Sequence, residues 1–99
     1  MITGAQIRMA RGYLRWSVKD LAVSSGVSSA TIKRMEEVDD TPKVFADNLG
    51  RVQKALESAG VEFIAENGGG PGVRLRKGGA KGDPAASIKI ERLNASNDD

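Results

Sequence analysis

Apolar residues recur at helical spacing through the first 60 positions of the chain and at strand spacing after them. Ile7, Ala10 and Leu14 fall on one face, which predicts a first helix over about Gly4 to Leu14 with that face buried. Thr3 is placed to cap it, and Gln6 lies three residues on, the spacing of a capping box. Ser17 and Asp20 repeat that spacing at the start of a short second helix, Val18 to about Ser24, whose core residues are Leu21 and Ala22. Gly26 then supplies the permissive backbone of a tight turn. Ser28 caps a third helix, and Val27 with Ile32 forms a hydrophobic staple across its start. With Ile32 and Met35 inward, Ser29, Ala30, Lys33 and Arg34 line much of the outer side. After the acidic loop EEVDD, Thr41 and Pro42 are suited to open a fourth helix. Its buried stripe is Phe45, Leu49, Val52, Leu56 and Ala59, and Gly60 ends it as a left-handed cap. Gly50, on the flank of that stripe, costs about 1 kcal/mol relative to Ala.

From residue 61 the texture changes. VEFIA alternates imperfectly, ENGGGPG is a strong turn pattern, and VRLRK sets Val73 and Leu75 against Arg74 and Arg76. This predicts a β-hairpin over residues 61–76, which must pack on the helices or pair with the edge of another chain, because two strands alone are marginal. GGGPG lacks the following Lys-Ser/Thr and helix of a phosphate-binding loop. Residues 77–99 read as a flexible tail in which SIKIERL suits a helix or an added strand equally.

Composition narrows the chemistry. The chain has no cysteine and no histidine, which removes disulfides, thiolate chemistry and the commonest general base and neutral metal ligand. The expectation is a protein that is not an enzyme and holds no cofactor or metal. Lack of cysteine also fits a reducing cytoplasm. No apolar run approaches the roughly 18 residues of a membrane span, and MITGAQIRMARGYL lacks the apolar region of a secretory signal. A net charge of +2 permits nucleic-acid binding without arguing for it. Short capped helices joined by a glycine turn, the second with its first turn exposed, are the ingredients of a helix-turn-helix.

The stretch from about Ile7 to Met35, above all WSVKDLAVSSGVSSATIKRMEE at residues 16–37, resembles the XRE (lambda repressor and Cro-like) transcriptional regulators. The resemblance rests on Leu21-Ala22, Gly26-Val27-Ser28, Thr31-Ile32 and Glu36, and it covers about 60 residues. GVEFIAENGGGPGVRLRK is similar to an extension of some small bacterial members. What the resemblance implies is a mainly α, lambda repressor-like four-helix domain over residues 1–60; of the two options for the β-hairpin at 61–76, pairing with another chain would build a dimer, which suits a family that binds two half-sites. The third helix, about 29–36, would enter the major groove of double-stranded DNA with Ser28, Ser29, Ala30, Lys33 and Arg34. Arg34 can donate two bonds to guanine, Ala30 can touch a thymine methyl, and Lys33 suits a phosphate. Family members usually carry Gln where this chain has Val18, which leaves Ser17 and Lys19 as local phosphate contacts; Lys43 offsets the acidic loop. Arg11 and Glu36 match a family pair that ties the first helix to the third.

Each assignment has a plainer competitor. Trp16 is more often a packing residue than a base-stacking one, and on charge alone Lys33 and Arg34 could be a solvated helix face. Arg74, Arg76, Lys77 and Lys81 suit phosphate contacts or a solvated strand equally. The function these readings imply is a sequence-specific DNA-binding regulator, a repressor and homodimer. The alternative is a helix-turn-helix protein acting mainly through protein partners, as an antitoxin or antiactivator does; Val18 and the acidic loop favour it.

Overall fold

The computed structural model describes residues 1–76; the tail, SIKIERL, Lys77 and Lys81 lie outside the described residues. The chain is mainly helical, with α1 (Gly4–Leu14), α2 (Val18–Ser25), α3 (Ser29–Glu36) and α4 (Ala46–Ser58) followed by β1 (Val61–Ile64) and β2 (Gly72–Leu75). Local capping chemistry sets the first boundaries. Thr3 and Gln6 form the reciprocal capping box of α1, and Ser17 and Asp20 that of α2. The Ser28 hydroxyl accepts from the Thr31 N–H at 3.2 Å. Gly26, in the left-handed region at φ 74°, closes α2.

One core joins helices and strands. Ile7 and Ala10 of α1, Leu21 of α2, Val27, Ile32 and Met35 around α3, and Leu49, Val52 and Leu56 of α4 are buried together with Ile2 and Val61. Leu14, expected in the core, is half-buried at its edge, as is Trp16, which packs against the core from the turn before α2. The hairpin is antiparallel, pairing Val61 with Leu75, Glu62 with Arg74, Phe63 with Val73 and Ile64 with Gly72. Val61, Phe63 and Val73 share the face packed on the core.

The fourth helix departs from expectation at its start. Thr41 and Pro42 do not begin it; helical backbone starts at Ala46, and Phe45 is the capping residue, without a side-chain cap. Pro42 is buried and Val44 packs against the core, so residues 41–45 cross the surface as an irregular segment held by its own apolar side chains. The Val44 N–H donates to the Pro42 carbonyl at 3.1 Å. Phe45, expected on the buried stripe, is 81% exposed in consequence.

Two long-range devices hold α1. Its first turn runs so close to the end of α3 that a Cβ on Gly4 would lie inside 3.0 Å of the carbonyl oxygens of Val38 and Met35, while the Gly4 N–H donates to the Asp40 carbonyl at 2.9 Å. The buried Gln6 side chain reaches the other way. Its Nε2 donates to the carbonyls of Ile64 at 3.0 Å and Gly72 at 2.8 Å, and its Oε1 accepts from the Thr3 N–H at 2.8 Å. One carboxamide thus caps α1 and holds the hairpin at the strand pair that flanks its turn.

On the outer face of that hairpin, Arg74 Nε donates to Glu62 Oε1 at 2.6 Å. This hydrogen bond, and then the charge of Arg74, holds the Glu62 carboxyl below its ordinary value. Because the folded pKa is depressed, the pair's contribution is present above the ordinary glutamate range and disappears as pH falls through the lowered value. We expect a side-chain NMR titration to place Glu62 below the ordinary glutamate value, with most of that shift lost in Arg74→Ala.

Candidate nucleic-acid interface

The start of α3 follows Gly26 and Val27 without a spacer. Val27 and Ile32 are both buried and form the expected staple, so α3 leaves the turn at an angle set by two core side chains. Burial of Ile32 and Met35 turns the opposite side of the helix outward. Ala30, Lys33 and Arg34 are exposed there, Ser28 is exposed at the cap, and Ser29 is half-buried. Ser17 and Lys19, at the start of α2, are exposed as well. Ser17 is engaged locally, its Oγ accepting from the Asp20 N–H at 3.0 Å, and Ser28 is tied to Thr31 by a second bond between hydroxyls at 3.0 Å. Lys19, Lys33, Arg34 and Lys43 have no salt-bridge partner among the described residues.

Arg34 and Lys43, remote from each other in sequence pattern, line one groove. Thr31, Val44, Phe45 and Asn48 complete its walls, and it encloses about 560 Å³ open to solvent. Periodicity had placed Phe45 in the core and gave no hint of Asn48. The groove exists because α4 starts late, leaving residues 43–45 to run beside α3. Nothing local in the sequence marks that, although an unpaired Lys next to two apolar residues after a proline is the trace it leaves.

The acidic loop is disposed of by α1. Arg11 forms a two-pronged ion pair with Glu36, Nε to Oε2 at 2.8 Å and Nη2 to Oε1 at 2.9 Å. Its Nη1 donates to the Trp16 carbonyl at 2.9 Å. The hydrogen bond with Glu36 raises the Arg11 pKa against the opposing effect of burial, so this guanidinium stays charged at any working pH. Arg8 adds a contact that sequence reasoning missed: it donates to the carbonyls of Glu36 and Val38 and pairs with Asp39. Two α1 cations therefore meet the negative C-terminal end of α3 and the acids that follow it. Glu37 and Asp40 remain exposed without a salt-bridge partner among the described residues.

No protein-family model matches the chain, and no curated protein does. Among the described residues no helix is long and apolar enough to cross a membrane, and no group of acidic residues is arranged to hold a metal ion.

Proposed function

We propose that the chain is a sequence-specific DNA-binding regulator of the XRE type, a lambda repressor-like helix-turn-helix domain acting as a repressor and homodimer in the cytoplasm. The observation that carries this reading is the two-sidedness of α3. Ile32 and Met35 are fully buried, while Ala30, Lys33 and Arg34 stand exposed on the other side of the same two turns. A helix so held can lie in a major groove with its basic side against base edges and phosphates. In this role Arg34 reads a guanine through its planar fork, Ala30 meets a thymine methyl and Lys33 meets a phosphate. Ser17, Lys19, Ser28, Ser29 and Lys43 flank them as backbone contacts.

The hairpin edge supports the homodimer of this reading. The Arg76 N–H donates to the Gly60 carbonyl at 2.9 Å, and the alternation of an antiparallel ladder then turns the backbone groups of Val73 and Leu75 away from β1. Leu75 is 60% exposed on that edge. A second β2 pairing there would double the reading head onto two half-sites. A protein partner in place of DNA is the second reading, and the exposed Glu37 and Asp40 favour it, since they suit a basic surface.

Salt dependence separates the two. We expect anisotropy of a labelled random duplex to report binding that weakens steeply between about 50 and 200 mM salt, as phosphate-anchored binding must. Flat or absent binding leaves the partner-binding reading in its place.

A further inference from the structure

The groove between α3 and the start of α4 has a mixed lining that the reading of α3 alone does not use. Arg34 and Lys43 bring two cations to it, Val44 and Phe45 give an apolar wall, and Asn48 and Thr31 provide polar groups. Asn48 makes no side-chain hydrogen bond among the described residues, and its amide can both donate and accept. Phe45 is the most exposed large apolar side chain described, at 81%. A simple inorganic anion would use the cations and leave the ring and the amide idle. An apolar ligand would desolvate two charges for nothing. A phosphate carrying a sugar and a planar base uses every wall, and the volume is within the range of roughly 300 to 1,000 Å³ that holds such ligands.

We infer that this groove takes one free nucleotide, its phosphate between Arg34 and Lys43 and its base against Phe45. Occupancy of the groove needs no DNA. Because Arg34 is also the guanine-reading side chain of the function proposed above, a bound nucleotide would compete with DNA for it, and that competition alone rests on the proposed function.

The test uses the full chain. Amide NMR spectra are followed as 2′-deoxyadenosine 5′-monophosphate, deoxyadenosine or inorganic phosphate is added to wild type, Phe45→Leu and Phe45→Ala, and duplex binding is measured for the wild type. Because the side chain is exposed, both variants should melt with the wild type. The amides of Thr31, Phe45 and Asn48 should shift with the monophosphate more than with either fragment, and the monophosphate should displace duplex. Phe45→Ala should weaken monophosphate binding about fivefold or more, the low end for removing one aromatic platform from an unpaired base, with Phe45→Leu between. If the monophosphate moves no groove amide, or moves them no more than deoxyadenosine or inorganic phosphate does, the inference is overturned, and duplex binding by the same protein leaves the DNA reading standing. Groove shifts with the monophosphate in a protein that binds no duplex would have the opposite meaning.

Discussion

Gly4→Ala should be the most damaging single change, lowering stability by about 3 kcal/mol or more, at the upper end of overpacking costs. The added methyl would meet the carbonyl oxygens of Val38 and Met35 inside 3.0 Å, and both are backbone atoms that no rotamer change can move aside. Relief requires α1 to lift from the end of α3, which breaks the Gly4 bond to the Asp40 carbonyl and pulls Arg8 and Arg11 from their acceptors. For a domain of this size the melting temperature should fall by about 12 °C or more, measured by circular dichroism. Gly12→Ala is the matched control. It is on the same helix with nothing within 4 Å of the added Cβ, so it should hold or raise stability. Equal effects in the two variants would mean that close approach does not govern Gly4.

Gln6→Ala should come next, at about 2 to 3 kcal/mol. It deletes a fully buried carboxamide together with its bonds to Thr3, Ile64 and Gly72, so a cavity and an unpaired Thr3 N–H are left behind. Hydrogen exchange should show the loss concentrated in the hairpin, because Gln6 is its polar anchor to α1. Gln6→Glu is the sharper version. A carboxylate cannot donate to the two carbonyls it would face, so the cost near neutral pH should exceed that of Ala. Its folded-state pKa would be raised above the unfolded value, and stability should recover as pH falls through that raised pKa and the group becomes a donor again. A Gln6→Glu protein as stable as wild type at neutral pH would show that the hairpin is held by Val61, Phe63 and Val73 alone.

These two residues also mark the limit of what the sequence disclosed. Thr3, Ser17, Ser28 and Gly26 act on neighbours three or four positions away, so their patterns are complete within a short window and the boundaries of α1, α2 and α3 follow from them. Ile32 and Met35 were legible for the same reason, and with them the exposure of Ala30, Lys33 and Arg34. Gln6 was legible only as half of a capping box; its other bonds reach residues 64 and 72, and no local pattern encodes a partner that far along the chain. Arg8 and Gly4 meet the end of α3 across about half that gap, still far beyond a local window. The start of α4 misled for a different reason. Thr-Pro is a sound opening for a helix, but the buried Pro42 and the packed Val44 satisfy the core better from an irregular segment, so tertiary packing overrides the local preference and Phe45 is turned outward. That displacement forms the groove that joins Arg34 to Lys43.

The proposed function stands or falls on base preference. A preferred duplex is first selected from a random pool with the wild-type chain, and the affinity of Arg34→Ala and Lys33→Ala is then measured on that duplex and on each single-base variant of it, at several salt concentrations. Arg34→Ala should lose discrimination at one base pair by about 1 to 3 kcal/mol, while Lys33→Ala weakens every sequence alike and lowers the salt slope by about 1. Unchanged base preference and unchanged salt slope in both variants would contradict a DNA-reading α3.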